Sequence, residues 1–227
     1  MGLNEQPSRQ IPSAGQAWGR VSGLPCMRSH DYFTLMAPSP SRYEILDAAL
    51  ALADEVGWRL VTAQAIGARL GGGPDLVLAH FRDLDDVADA WFQRALGAAL
   101  AGPVDAVAPF DQRLASVMGR WLDALAPHRE ASLEMLRAKL YPSHPHHWVP
   151  LIFNLSRLVQ WMLDAAHCRA EGRRRQATEV AVSGLVLAAL WNWRRGDDAA
   201  TKRYVAERLE RMERRLDRLW PDQSGAL

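Results

Sequence analysis

The sequence has few lysines, few cysteines and no long apolar run. Of its 27 basic residues only Lys139 and Lys202 are lysine, and the formal net charge of the whole chain is +1. Affinity for nucleic acid depends largely on cations that neutralise phosphates, so the overall charge by itself indicates no such partner. The most apolar stretch, residues 180–193, is shorter than the roughly 20 residues of a bilayer span and is predicted to be a buried helix.

The two cysteines, Cys26 and Cys168, are not expected to form a structural disulfide, because Cys26 lies in a segment without apolar periodicity. Residues 1–41 contain five prolines among glycine and serine, and they lack the continuous apolar core of a secretory signal. We interpret this segment as a disordered arm, or as the product of a start codon placed upstream of the true one at Met27 or Met36. A cytoplasmic location is expected.

Motifs of the common enzyme classes are also missing. The sequence has no Gly-x-Ser-x-Gly, no phosphate-binding loop, no dinucleotide fingerprint and no paired-cysteine motif. His144, His146 and His147 could bind a metal, but no cysteine or carboxylate nearby completes a tetrahedral site, so the cluster is interpreted as an exposed loop. We therefore predict no enzymatic activity, no catalytic residue, no metal and no cofactor.

Apolar residues recur with a helical period from residue 41 onward, and no stretch alternates with the period of a strand. Glycine and proline separate the periodic stretches, for example at Gly57, Pro127 and Gly196. The sequence therefore predicts an all-α fold of about nine helices. Their expected ranges are 41–56, 63–70, 74–81, 84–100, 112–125, 130–141, 148–166, 173–193 and 198–219.

Residues 45–91 contain an ordered series of helix ends, caps and turns. The residues concerned are Gly57, Trp58, Thr62, Ile66, Gly67, Gly71, Val77, Leu78 and Phe81, followed by the polar step 83–86. This order resembles the DNA-binding domain of the tetracycline-repressor (TetR) family. The resemblance implies an N-terminal three-helix domain with a helix–turn–helix, followed by a larger helical body.

The same resemblance implies a domain organisation and a function. Residues 42–90 would form the helix–turn–helix domain and residues 91–220 the ligand-binding and dimerisation domain, between the arm 1–41 and a tail 221–227. The chain would be a ligand-responsive, DNA-binding transcription regulator that acts as a homodimer. Its third helix would lie in the major groove, braced by the second. The residues expected to contact DNA are Arg42, Thr62, Gln64, Asp75, His80 and Arg82.

The expected reading helix departs from the usual chemistry of base recognition. Residues 73–80 contain no Arg, Lys, Asn or Gln, the side chains that pair with guanine and adenine edges, and Leu78 stands where the family has a phosphate-contacting tyrosine. Residues 42–102 contain five arginines and nine carboxylates, a net charge of −4. We therefore expect weak, salt-tolerant DNA binding through few contacts, aided by backbone N–H groups at helix N-termini.

Residues 190–198 are similar to the C-terminal pattern of a second family, the coenzyme Q biosynthesis protein nine family. Here Trp191 and Trp193 end an apolar helix, and Gly196 and Asp197 lead into an arginine-rich last helix. Members of that family have a TetR-like fold. The resemblance implies an alternative function, a lipid- or isoprenoid-binding accessory protein of ubiquinone biosynthesis whose helix–turn–helix does not bind DNA.

Tryptophan, phenylalanine and methionine are dense in the second half of the chain. They form either a plain core or the wall of an apolar cavity between helices, where a hydrophobic small molecule or lipid would bind. The candidate ligand-binding residues are Trp121, Met135, Trp148, Phe153, Leu158, Trp161, Met162 and Trp191.

The last two predicted helices are the expected dimer interface, because the last one carries a narrow apolar stripe with spacings of four and three residues. The interface candidates are Leu187, Trp191, Leu209, Met212 and Leu216. Arg173, Arg174 and Arg175 are interpreted as a solvated helix start, with a nearby anionic head group as the alternative.

Overall fold

Helices account for all regular structure in the part of the chain that is described. The computed structural model describes residues 39–140 and 148–220, without the side chains of residues 148–150. Within these ranges the chain forms nine α-helices, two 3-10 helices and no strand, which confirms the all-α prediction. The α-helices are α1 (Arg42–Val56), α2 (Ala63–Arg69), α3 (Asp75–Leu78), α4 (Leu84–Leu100), α5 (Phe110–Leu125), α6 (Arg129–Lys139), α7 (Trp148–Ala165), α8 (Gly172–Trp193) and α9 (Asp198–Leu219), and the 3-10 helices are Trp58–Leu60 and Ala126–His128.

Some predictions concern residues outside these ranges. They are the arm up to residue 38 with Cys26, the cluster of His144, His146 and His147, the side chain of Trp148, and the tail 221–227. The described residues from Pro40 on belong to one compact unit, in which α4 continues without a break through the expected domain boundary at residue 90. None of the described helices combines the length and the apolar character that crossing a bilayer requires.

Side-chain caps fix four of the helix starts. The Ser41 hydroxyl accepts a hydrogen bond from the backbone N–H of Glu44, and the Glu44 carboxylate accepts one from the backbone N–H of Ser41 at 2.7 Å. Thr62, Asp83 and Asp197 cap α2, α4 and α9 in the same way with their side-chain oxygens. These caps satisfy N–H groups that have no partner within the helix, so the starts of these helices agree closely with the prediction.

The third helix is shorter than its prediction. Its regular part ends at Leu78, and the N–H groups of His80 and Phe81 both bond to the carbonyl oxygen of Val77, at 3.0 and 2.9 Å. The chain therefore stays turned up to Phe81 but tightens into a 3-10-like last turn. The two separate 3-10 helices are also absent from the prediction, because three residues are too few to show a period.

The α5 helix lies at the centre of the second half of the chain. It packs against α4, α7 and α9, and α9 also packs against α8. The apolar stripe of α5 is buried, and so are Val205 and Leu209 of α9. Removal of this apolar surface from water supplies the main favourable free energy for packing the helices of this half.

Carboxylates of the chain itself hold two of the arginines at the start of α8. The guanidinium of Arg174 lies 2.7 Å from both Glu213 and Asp217 of α9, and that of Arg175 lies 3.2 Å from Asp164 of α7. Burial raises the pKa of Glu213 above its ordinary value, and the neighbouring Arg174 opposes that rise. No anionic molecule is needed to account for the position of these two arginines.

Candidate DNA-reading motif and ligand cavity

Helix α2 and the turn before α3 approach each other too closely for a side chain at Gly67. A Cβ atom at this buried position would overlap the carbonyl oxygen of Gly73. Gly71, with φ of +80°, supplies the left-handed residue that ends α2. Ile66 and Val77 are buried in the core between these helices and their neighbours. The result is a compact helix–turn–helix, and we refer to α1–α3 as the three-helix unit.

Most of the predicted DNA contacts lie on the surface of the three-helix unit. The exposed ones are Thr62, Gln64, Asp75 and Arg82. The Thr62 hydroxyl also caps α2, since it accepts a hydrogen bond from the backbone N–H of Ala65 at 3.1 Å. Asp75 is the acidic residue of the first turn of α3, where it interacts favourably with the helix dipole.

Arg42 and His80, the other two predicted contacts, are joined to each other within the fold. The guanidinium of Arg42 donates a hydrogen bond to the carbonyl oxygen of His80 at 2.6 Å and lies 4.1 Å from the centre of the Phe81 ring. It also lies 3.7 Å from Asp86 of α4. Arg42 thus connects the start of α1 with the end of α3 and the start of α4.

Four of the five arginines in residues 42–102 lie within ion-pair distance of a carboxylate. The pairs are Arg42–Asp86, Arg69–Glu55, Arg82–Asp86 and Arg94–Asp47. The Arg69 pair has two hydrogen bonds, of 2.6 and 2.8 Å, which hold the pKa of Glu55 below its ordinary value. Arg82 has the longest contact, 3.9 Å, and the most exposed side chain of the four. Residues 42–102 therefore present little unpaired positive charge.

A mainly apolar cavity of about 220 Å³ lies among α4, α5, α6, α7 and α8. Its volume is below the roughly 300–1,000 Å³ of sites for drug-sized ligands, so it suits a small molecule. Three of the predicted ligand-binding residues line it: Trp121, Leu158 and Trp161.

Four other predicted ligand-binding residues do not line this cavity. Met135 and Met162 are buried in the core, whereas Phe153 and Trp191 are largely exposed on α7 and α8. Aromatic and methionine density alone cannot separate core, cavity wall and surface, because all three environments use these side chains.

Sequence reasoning missed the contribution of α4 to the cavity wall. Asp89, Phe92, Gln93 and Leu96 all line it. Their spacing places them on one face of α4, and that face alternates polar with large apolar side chains. Such a mixed face on a predicted helix is the signal in the sequence that could have identified them.

Lys139, at the end of α6, is only 5% exposed although it carries a charge. Its Nζ atom lies 3.1 Å from Asp89 and 3.7 Å from Asp85, both on α4. A buried ammonium group requires such partners, because it has lost its hydration. Lys139 and Asp89 also line the cavity, so this ion pair connects α4 with α6 in the cavity wall.

The segment that contains α6 also contacts the three-helix unit. Nδ1 of His128, just before α6, lies 2.7 Å from the carboxylate of Asp54 on α1. The carboxylate of Glu134 accepts a hydrogen bond from the backbone N–H of Arg59 at 3.3 Å. Helices α4 and α6 therefore both line the cavity and contact the three-helix unit.

Helix α8 exposes an apolar face. Val180, Leu187 and Trp191 are 74%, 48% and 61% exposed, and their spacing, with Gly184 between them, places all four on one side of the helix. Two of these residues, Leu187 and Trp191, are predicted interface residues. An exposed apolar face on one helix is compatible with their prediction as interface residues.

The predicted interface residues on α9 lie elsewhere. Leu209 and Leu216 are 0% and 6% exposed, and Met212 is half-buried against the core. A buried side chain has almost no surface left to lose to a partner. The stripe on α9 therefore packs within the chain, and Leu187 and Trp191 on α8 are the predicted interface residues that are exposed.

The fold and the helix–turn–helix have counterparts among solved structures. The chain is similar to a TetR transcriptional regulator from Nitrosomonas europaea ATCC 19718, with 30% sequence identity and a TM-score of 0.66 over 76% of this chain and 97% of that one. A TetR transcriptional regulator from Rhodococcus sp. RHA1 has 18% identity and a TM-score of 0.57 over 75% of this chain and 94% of its own. The multidrug binding protein EbrR, in complex with imidazole, has 24% identity and a TM-score of 0.50 over 76% and 95%.

Neither a family model nor a curated protein sequence matches the chain. The Rhodococcus regulator and EbrR bear on the fold alone. The match to the Nitrosomonas europaea regulator combines 30% identity with nearly the full length of that protein. The chain therefore belongs to the TetR family of transcriptional regulators.

Proposed function

We propose that this TetR-family protein is a DNA-binding regulator whose affinity for its operator changes when a small apolar molecule enters the cavity. Residues 42–90 would read DNA, and residues 91–220 would bind the ligand and form a homodimer. One observation carries the proposal: α4 and α6 line the cavity and also contact the three-helix unit. A ligand in the cavity would therefore lie beside helices that also contact the three-helix unit.

The route from cavity to reading motif runs along α4. Phe92 and Leu96 line the cavity, and Asp86, about two turns before Phe92, lies 3.7 Å from Arg42. Arg42 in turn donates to the carbonyl oxygen of His80, at the end of α3. A shift of α4 that accommodates the ligand would therefore move the end of α3. For regulation, the ligand must bind more tightly to the protein with α4 in the shifted position than to the protein with α4 in its original position, or the reverse.

The proposed DNA contacts remain Arg42, Thr62, Gln64, Asp75, His80 and Arg82. Because Arg42 is used to hold α3, its proposed contribution to DNA binding is mainly to position the reading motif. Arg82, which is 82% exposed, is the better candidate for a direct phosphate contact. Backbone N–H groups at the start of α2 would add phosphate contacts that need no cation.

A salt titration tests the DNA-binding half of the proposal. We expect fluorescence anisotropy with DNA from around the protein's own gene to show binding at low salt, with a log–log salt slope of magnitude below about 5 because few phosphates are neutralised. The change Arg82→Ala should reduce the magnitude by about 1, since one phosphate contact is lost. The same change at Arg203, an exposed residue of α9, should leave the slope unaltered.

The opposite outcome would favour the alternative function. If the wild-type protein binds no such DNA at low salt but co-purifies with an apolar molecule by native mass spectrometry, a lipid-binding role with a vestigial helix–turn–helix becomes the better account. The Nitrosomonas europaea structure, at 30% identity, is a TetR transcriptional regulator, which favours the regulatory function over this alternative. The expected cytoplasmic location follows from the proposed regulatory function.

A further inference from the structure

The charged groups of the cavity wall have an excess of positive charge. Lys139 and Arg157 are cations, and Asp89 is the one carboxylate of the wall within the described residues. Asp89 already forms an ion pair, because its carboxylate lies 3.1 Å from the ammonium group of Lys139. An incoming cation would have to compete with Lys139 for this carboxylate.

Arg157 differs from Lys139 in having no carboxylate partner among residues 39–140 and 148–220. It lies on α7, and its side chain is exposed to solvent while it also contributes to the cavity wall. Arg174 and Arg175, by contrast, each have two carboxylate partners. The guanidinium of Arg157 presents a planar set of N–H donors that matches a carboxylate.

A second group of the wall has a donor without an acceptor. Trp121 is 2% exposed, and its indole N–H has no hydrogen-bond acceptor in the part of the chain that the structure describes. A buried N–H group that remains unpaired destabilises the folded state by about the cost of its lost hydration. Among the charged groups of the described wall, the guanidinium of Arg157 is therefore the one that a ligand can still pair with, and its complement is an anionic acceptor.

We propose that the cavity selects a small apolar monocarboxylate, whose apolar body lies between the aromatic side chains Phe92, Trp121 and Trp161 and whose carboxylate pairs with Arg157. This inference rests on the proposed function, in which the cavity is the ligand site. The volume of about 220 Å³ suits a body of about the size of a phenylpropyl group, and the charge that attracts the anion is that of Arg157, because Asp89 neutralises Lys139.

Three compounds with the same body test the selection: 3-phenylpropionate, propylbenzene and 3-phenylpropylammonium. Isothermal titration calorimetry on the full chain at low salt should show 3-phenylpropionate binding at least tenfold more tightly than 3-phenylpropylammonium. The change Arg157→Gln should weaken 3-phenylpropionate about fivefold and leave propylbenzene unchanged. Arg203→Gln removes the same charge from an exposed site on α9 outside the cavity and should change neither affinity.

The outcomes separate this inference from the function on which it rests. If propylbenzene binds but the ammonium compound binds as tightly as the carboxylate, or if Arg157→Gln leaves their ratio unchanged, the selection for a carboxylate is overturned and the cavity remains a ligand site. If none of the three compounds binds, the cavity is not the ligand site and the ligand half of the proposed function fails with it.

Discussion

The helix–turn–helix can form because residue 67 is glycine and has no side chain. A Cβ atom here would overlap the Gly73 carbonyl oxygen, which belongs to the backbone and cannot rotate away as a flexible side chain could. We expect Gly67→Ala to lower the free energy of unfolding by about 2–3 kcal/mol, as overpacking of a tight site does. Chemical denaturation measures this value, and DNA binding should weaken in parallel.

Gly97 provides the matched control. It also lies within a helix, α4, but a Cβ atom there would meet nothing within 4 Å. Gly97→Ala should therefore raise the free energy of unfolding by about 0.5–1 kcal/mol, because alanine loses less backbone entropy in a helix than glycine. Equal effects of the two changes would contradict the close approach of α2 to the turn.

Glu44 shows how one cap makes stability depend on pH. Hydrogen bonds from the backbone N–H and hydroxyl of Ser41 hold the pKa of Glu44 below its ordinary value of 4.5. A carboxylate whose pKa is lower in the folded state stabilises that state above pH 4.5, and the contribution is lost as the pH falls through the folded-state pKa. The cap of α1 should therefore weaken in acid.

The change Ser41→Ala removes the hydroxyl that binds Glu44. We expect the pKa of Glu44, followed by NMR titration, to rise toward 4.5. Glu55 serves as the internal reference, because its pKa is lowered by Arg69 and not by Ser41. Because the backbone N–H bond remains, only an unchanged Glu44 pKa would show that the hydroxyl is not part of its cause, whereas a parallel rise of the Glu44 and Glu55 pKa values would indicate a general change of the fold.

At the scale of helices, caps and periodicity predict most of the fold. Both ends of α4 and α9 agree with their predicted ranges, because each starts at an aspartate cap and ends where the apolar pattern stops. The end of α3 does not, since its last turn depends on where the buried Phe81 packs. Contacts between helices distant in sequence, such as that of Lys139 with Asp89, have no local signal from which they could be predicted.

The ion pair of Lys139 with Asp89, which joins α6 to α4, therefore needs a direct test. We expect Lys139→Met to lower the free energy of unfolding by about 2 kcal/mol, less than the 3–5 kcal/mol of a fully buried pair, since Asp89 is 25% exposed. Asp89→Asn should destabilise less, because an amide oxygen still accepts from the ammonium group. In the double variant the loss should be smaller than the sum by about 1 kcal/mol. Additive losses would mean that the two side chains do not interact in solution.

The positions of the described arginines explain why the charge of the whole molecule is a poor guide to its partners. The net charge of +1 combines an acidic stretch, residues 42–102, with a basic one, residues 169–219, whose net charge is +5. Arg174 and Arg175 in the basic stretch pair with carboxylates of α7, α8 and α9, so part of its charge stabilises the packing of these helices. Ion pairs within the chain determine which charged side chains remain free to bind a partner, and the net charge of the sequence does not show these pairs.

Association of two chains is the whole-molecule property that the exposed face of α8 predicts. Val180, Leu187 and Trp191 form an apolar surface that one chain leaves in water, and a two-fold symmetric dimer would bury this surface against its own copy. We expect the double change Val180→Glu and Leu187→Glu to give a folded monomer, because four buried carboxylates would face one another across the symmetry axis. Light scattering should show about half the wild-type mass, with helical circular dichroism unchanged.

Two further variants separate loss of the interface from loss of the fold. Leu209 is fully buried within the chain, so Leu209→Glu should reduce the helical signal itself and the melting temperature, whereas the α8 variant should keep its helical signal. Val107 is 93% exposed in the loop between α4 and α5, so Val107→Glu adds a carboxylate to the surface without changing the exposed face of α8 and should leave the mass unchanged. A dimeric mass that persists in the Val180/Leu187 variant would place the interface on another surface. A monomeric wild type would contradict the predicted dimer.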